Sequence, residues 1–156
     1  MVGAETRLLI LGSLPGEASL AAGRYYAHPQ NQFWRLAGAV IGDEALAERD
    51  YAARLAALLE KGVGLWDTVA SAERLGSLDA AIRAEETADL AALVATLPAL
   101  RAVGFNGAKS AFLGRRVLPD TKLQLVDLPS SSPAYAALPF AAKRERWLAL
   151  RPFLAQ

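Results

Sequence analysis

Apolar residues gather along this chain in two patterns. Three short runs are mostly apolar and stop at turn residues: Arg7 to Leu11 before Gly12, Arg101 to Phe105 before Asn106-Gly107, and Leu123 to Leu128 before Pro129. Runs of this kind predict buried strands. Val63 to Asp67 predicts a further short strand or a turn. Between the runs, apolar positions recur at helical spacing. From Phe33 they fall at 33, 34, 37, 40 and 41, and Gly42 closes the stripe. A second helix is expected from Asp43 to Lys61, with Tyr51, Leu55, Leu58 and Leu59 on one face and Gly62 ending it. A short helix is expected over Ser77 to Arg83. Thr87 is placed to cap another, whose Leu90, Leu93, Val94 and Leu97 form a stripe that Pro98 stops. Ala108 to Arg116 and Phe140 to Leu154 complete the helices. Trp66 and Trp147 are expected in the core.

Strands alternating with helices predict an α/β fold whose parallel sheet is covered on both faces. In such a sheet the carboxyl ends of the strands share one edge, where α/β enzymes place their sites. Polar loops leave three of these ends, at Gly12 to Asn31, at Asn106-Gly107 and at Pro129 to Pro133. The first also holds a turn signal, Leu14-Pro15-Gly16. With no repeat, linker or low-complexity tract, the 156 residues are expected to form a single domain, 1–156.

Composition narrows the chemistry. An apolar content of 53% and a charged content of 21% exclude a disordered chain. No apolar run is long enough to span a bilayer and no signal segment opens the chain, so a cytoplasmic location is expected. Zero cysteines exclude disulfides and a Cys nucleophile, and a single His argues against a His-based metal hydrolase. High Ala, Leu and Arg with little Lys has the look of a GC-rich bacterial genome. The net charge of +1 gives little general attraction to nucleic acid, so any such contact must come from local patches.

Read in order, the strand end GSLPG, the loop YYAHPQNQFW, the mid-chain GLWD, the strand end FNG and the strand end LPSSSPA resemble the uracil-DNA glycosylase superfamily. The hypoxanthine-DNA glycosylase branch is the nearest pattern, and the mismatch-specific uracil glycosylases are the second. The resemblance covers essentially the whole chain. It implies a three-layer α/β/α domain around a short, mostly parallel sheet. It implies excision of a deaminated base, hypoxanthine first, from DNA, with no metal, no other cofactor and no membrane, by a monomer. Two positions depart from the superfamily pattern. Leu14 stands where many members carry Asp, Asn or Glu to position water, and Leu128 stands where many carry His or Asn. In the hypoxanthine branch an Asn of the HPxN segment takes over, which maps to Asn31.

On that resemblance Asn31 is the candidate catalytic residue, orienting water by its amide oxygen. The same residue type also caps helices, and this one precedes the helix starting near Gln32. Tyr26 is the candidate stacking platform for the base, with Tyr25 beside it; the competing reading is a pair of half-buried loop tyrosines. His28, in the extended segment before Pro29, is placed to touch base or phosphate, or to stabilise its own loop. Gly12, Ser13, Leu14, Pro15 and Gly16 would shape the base pocket through close backbone approach. Asn106 is placed to read a carbonyl and an adjacent N–H together, or to sit in a left-handed turn. Ser130, Ser131 and Ser132 would hold phosphates. Pro133, Ala134 and Tyr135 are candidates to wedge into the vacated stack. Lys109, Arg115, Arg116, Lys143, Arg144 and Arg146 are expected on solvated helix faces unless they cluster at the pocket rim. The rival expectations are uracil excision from mismatches, a catalytically silent lesion-DNA-binding relative, and a small-molecule hydrolase on the same fold.

Overall fold

A computed structural model describes residues 1–12, 23–67, 84–118, 121–133, 135 and 137–155. The expected helix over Ser77 to Arg83, the turn Ser13 to Gly16 and the wedge candidate Ala134 lie outside the described residues. Within them the strands are β1 (Leu8–Gly12), β2 (Val63–Asp67), β3 (Ala102–Asn106) and β4 (Gln124–Leu128). The helices are α1 (Phe33–Ile41), α2 (Tyr51–Glu60), α3 (Ala84–Ala95), α4 (Ala108–Val117) and α5 (Phe140–Trp147). Short 3₁₀ helices cover Leu46–Glu48 and Leu148–Leu154.

All strand pairs are parallel, in the order β2-β1-β3-β4. The register sets Gly12 beside Asp67 and Asn106 beside Leu128. Successive β1 side chains point to opposite faces, and each face has its own apolar cluster. Leu8 and Ile10 pack with Phe33, Leu36, Leu58 and Trp147, while Leu9 and Leu11 pack with Leu90, Leu97, Phe105 and Ala111. Helices therefore cover both faces, giving three layers. Burial on both sides explains why β1 reads as a continuous apolar run rather than an alternating one. Trp147 is fully buried and Trp66 partly so.

Local chemistry moved several expected boundaries. The expected helix from Asp43 to Lys61 is split. Asp50 adopts an extended backbone and its carboxylate accepts the Ala53 N–H at 2.8 Å, starting α2 there. Leu59 sits 36% exposed rather than on the buried face with Leu58. Helix α3 begins at Ala84, so Thr87 lies inside it and is not its cap. The closing helix is α-helical only to Trp147, because the ring of Pro152 removes a donor from the next turns, which wind as 3₁₀. Val63–Asp67 is a full strand.

Candidate active site

From β1 the chain steps one way to β2 and the other way to β3. The strand order thus reverses between β1 and β3, and the crevice beyond the carboxyl ends of these two strands is where open α/β sheets bind ligands. Gly12 and Asn106 flank it. An ideal Cβ on Gly12 would lie 3.1 Å from Asp67 Oδ1 and 3.2 Å from the Tyr26 hydroxyl. Glycine is needed here for space, since any side chain would crowd the carboxylate and the phenol together. Behind the crevice, Ser110 of α4 is fully buried and donates to the Leu11 carbonyl at 2.6 Å, fixing α4 against the end of β1.

Tyr26 is held in the left-handed region at φ 52, the one non-glycine residue so placed among those described. For a bulky side chain this conformation costs energy and marks a site where surrounding contacts over-determine the backbone. Those contacts are visible. Its ring stacks on Phe33 at 3.9 Å and 10°, its edge meets Trp34, and its hydroxyl shares a hydrogen bond with the Asn106 amide. Burial, with the Asp67 carboxylate adding to it, raises the Tyr26 pKa, while the Asn106 bond works in the opposite direction. Phe33 occupies one ring face, so a base stacking on Tyr26 must use the other. Tyr25 lies 6.4 Å away, with its hydroxyl donating to the Leu65 carbonyl at 3.4 Å.

Asn31 sits at the entrance to α1. Its Oδ1 accepts the Phe33 N–H at 2.9 Å, an Asx turn that leads into the helix, whose N-cap is Gln32 with no side-chain cap bond rather than Asn31. An amide oxygen has a second lone pair, and the NH₂ keeps its donors. The turn bond therefore leaves an acceptor for water. His28 is exposed, and its Nδ1 accepts the Gln30 N–H at 3.1 Å while its carbonyl accepts the Asn31 N–H. That is the loop-stabilising arrangement.

Asn106 grips Ser131 from both ends of its amide: Nδ2 donates to Ser131 Oγ and Oδ1 accepts the Ser131 N–H, each at 2.9 Å. The left-handed turn expected of Asn106 falls instead on Gly107, at φ 99. The loop after β4 is pinned at further points. Trp147 Nε1 donates to the Pro129 carbonyl at 2.9 Å, and the Gln32 N–H to the Ser131 carbonyl at 3.0 Å. The Ser132 N–H donates to Ser130 Oγ at 3.1 Å. Ser131 is buried, whereas Pro133 and Tyr135 are exposed. Leu128 is 4% exposed, an apolar residue of the core.

The fold thus brings together Gly12, Tyr26, Asn106 and the Ser130–Ser132 loop, with Asn31 next to that loop through Gln32. His28 stands at the exposed side. Two residues without an assigned role from sequence also arrive: Asp67, the last residue of GLWD, and Gln32, which clamps the loop. Their signal was positional, since Asp67 ends a strand and Gln32 is the polar residue directly before an apolar helical stripe. Lys143 departs from expectation as well. It is 1% exposed rather than on a solvated face, and it donates to Gln32 Oε1 at 2.9 Å. Burial lowers its pKa. Among the described residues no cluster of three or more His, Asp or Glu is placed to hold a metal ion, and no helix is long and apolar enough to cross a membrane.

Residues 1–151 match the family model described as the uracil DNA glycosylase superfamily. Two relatives are named hypoxanthine DNA glycosylase. The one from Methanosarcina acetivorans is 42% identical over 133 residues, covering 83% of this chain and 81% of its own. The one from Methanosarcina barkeri is 44% identical over 106 residues, covering 68% of this chain and 66% of its own. The solution NMR structure of a candidate uracil DNA glycosylase from Methanosarcina acetivorans superposes with a TM-score of 0.81 at 34% identity, covering 99% of this chain and 94% of that one. These relatives are archaeal, whereas composition alone suggested a bacterial source.

Proposed function

The chain belongs to the uracil DNA glycosylase superfamily, and from that premise we propose that it is a DNA glycosylase that hydrolyses the N-glycosidic bond of hypoxanthine in DNA. The observation that carries this reading is the convergence of Gly12, Tyr26, Asn106 and the Ser130–Ser132 loop at the reversal of strand order. The names of the two Methanosarcina relatives support hypoxanthine as the first substrate.

The lesion nucleotide leaves the duplex, because C1′ is out of reach inside the stack. The flipped base stacks on the face of Tyr26 opposite Phe33, which contributes roughly 1–3 kcal/mol of stacking. Gly12 lets the Asp67 carboxylate and the Tyr26 phenol sit against the strand end, where they border the base. Asn106 holds Ser131, and through it the loop that receives the flanking phosphates. As the glycosidic bond breaks, positive charge spreads over the sugar as in other glycoside hydrolyses. The amide oxygen of Asn31 accepts from a water and aims it at C1′. An amide is a weak base, so it contributes position rather than proton abstraction, which suits a bond that is largely broken before attack. No covalent intermediate is formed on the enzyme.

The test is incubation of duplexes carrying a single hypoxanthine, xanthine or uracil, followed by alkali. Strand cleavage is expected on hypoxanthine first. Cleavage mainly at mispaired uracil would move the protein to mismatch-specific uracil excision. Lesion binding without cleavage of any duplex would leave a silent relative, and absence of DNA affinity would sink the reading altogether.

A further inference from the structure

Lysine is almost never fully buried unless paired with a carboxylate, because an ammonium taken from water loses several kcal/mol of hydration. Lys143 is 1% exposed, and among the described residues it pairs with no carboxylate. One N–H is well used, on Gln32 Oε1 at 2.9 Å. A second reaches the Ser132 carbonyl at only 3.4 Å, near the limit of a hydrogen bond. An ammonium has three N–H groups, and the remaining direction faces the ring of Tyr135, whose centroid is 5.4 Å from Nζ. Its place on the helix adds to the cost. Lys143 lies in the first turns of α5, where the helix dipole favours anions, and α5 has Pro139 at its cap, no side-chain cap bond and no acidic residue in its first turn. A buried ammonium thus meets the Ser130–Ser132 loop under an aromatic ring.

We propose that Lys143, beside the Ser130–Ser132 loop, forms a phosphodiester-binding site, kept under Tyr135 until DNA arrives. This rests on the DNA reading above and goes beyond it by assigning the cation that receives the backbone. Tyr135 is 43% exposed and its ring lies over the Lys143 ammonium, so it is the group that DNA would displace. The phosphate replaces the long contact to Ser132 and the ring face, while the Gln32 bond stays as the anchor. An ion pair formed there is screened less than one at the surface. The Gln32 anchor also ties the site to the helix that Asn31 precedes, so the same cation touches the phosphate loop and the segment that aims water.

The experiment measures affinity for a duplex with one non-hydrolysable abasic site over a series of salt concentrations, for the wild-type protein, Lys143→Met, Lys143→Gln and Lys143→Arg. Each phosphate neutralised contributes about 0.9 to the slope of log affinity against log salt. The expected result is a slope shallower by about 0.9 in both neutral variants and retained in Lys143→Arg. Lys143→Gln keeps donors for Gln32 and Ser132, so it reports on charge even if the Met variant folds poorly. A slope unchanged in both neutral variants overturns the site while leaving the glycosylase reading intact. Wild-type protein with no affinity for the duplex overturns both.

Discussion

Asn31 has one amide oxygen and two demands on it. The Phe33 N–H takes one lone pair and the proposed water takes the other. Asn31→Ala therefore removes the turn bond as well as the proposed water contact, and such a bond is worth about 0.5–1.5 kcal/mol. Asn31→Ser separates the two roles, because serine makes the same kind of turn bond but is a bond shorter. We expect Asn31→Ser to melt within a few degrees of wild type yet to lose at least about 100-fold in single-turnover excision, with binding of abasic DNA retained. Normal excision by this variant would move the water elsewhere. Tyr26 and Gly12 form a second pair at this scale. A methyl at position 12 would press on the Asp67 carboxylate and the Tyr26 phenol. Gly12→Ala is expected to raise KM for a hypoxanthine duplex several-fold, since both groups border the crevice; an unchanged KM with a lowered melting temperature would make Gly12 a packing residue only.

Helix α4 meets the sheet so closely that an ideal Cβ on Gly114 would lie 2.3 Å from Phe105 Cε1. Phe105 is fully buried among Leu11, Leu90 and Ala111 and has no room to retreat. Gly114→Ala is thus expected to destabilise by about 1–3 kcal/mol as an overpacked core. For a chain of this size that is a fall of roughly 2–10 °C in melting temperature, readable by calorimetry. The element matters for function because α4 carries Ser110, which binds the end of β1, and follows directly from Asn106. Helix α5 plays the matching part for the other loop. Its Trp147 holds Pro129 and its Lys143 reaches Ser132, so the helix anchors the whole Pro129–Ser132 segment. Apolar periodicity alone placed both helices but could not show these anchors, because each bond joins residues distant in sequence.

At the scale of the molecule, the tyrosines beside Asp67 link the site to stability. Burial first, then Asp67 and Tyr51, pushes the Tyr25 phenol up to about 12, and Tyr26 is raised as well. Their native pKa values lie above the unfolded value of about 10. Below pH about 10 both states hold the proton, and the stabilisation is fully present. Above it the unfolded chain ionises while the native chain does not, so stability is lost as pH rises towards about 12. Urea midpoints measured from pH 8 upward should fall in that window, and less steeply in the Tyr25→Phe, Tyr26→Phe variant; parallel curves would mean that these phenols do not set alkaline stability. The order of residues makes the layered α/β architecture legible, because buried strands and amphipathic helices differ in apolar period and end at recognisable residues. It also determined which loops leave the strand ends and, through the order of GSLPG, HPQN, FNG and LPSSSP, the family. The strand order, and with it the reversal between β1 and β3 that sets Gly12 beside Asn106, emerged with the packing of the elements. That packing also brought Asp67 and the Tyr26 phenol to Gly12, closed Asn106 onto Ser131 and buried Lys143 against Gln32. A period of 2 or 3.6 fixes which face of an element is buried, while pairings across 25 or 111 residues depend on how the elements pack.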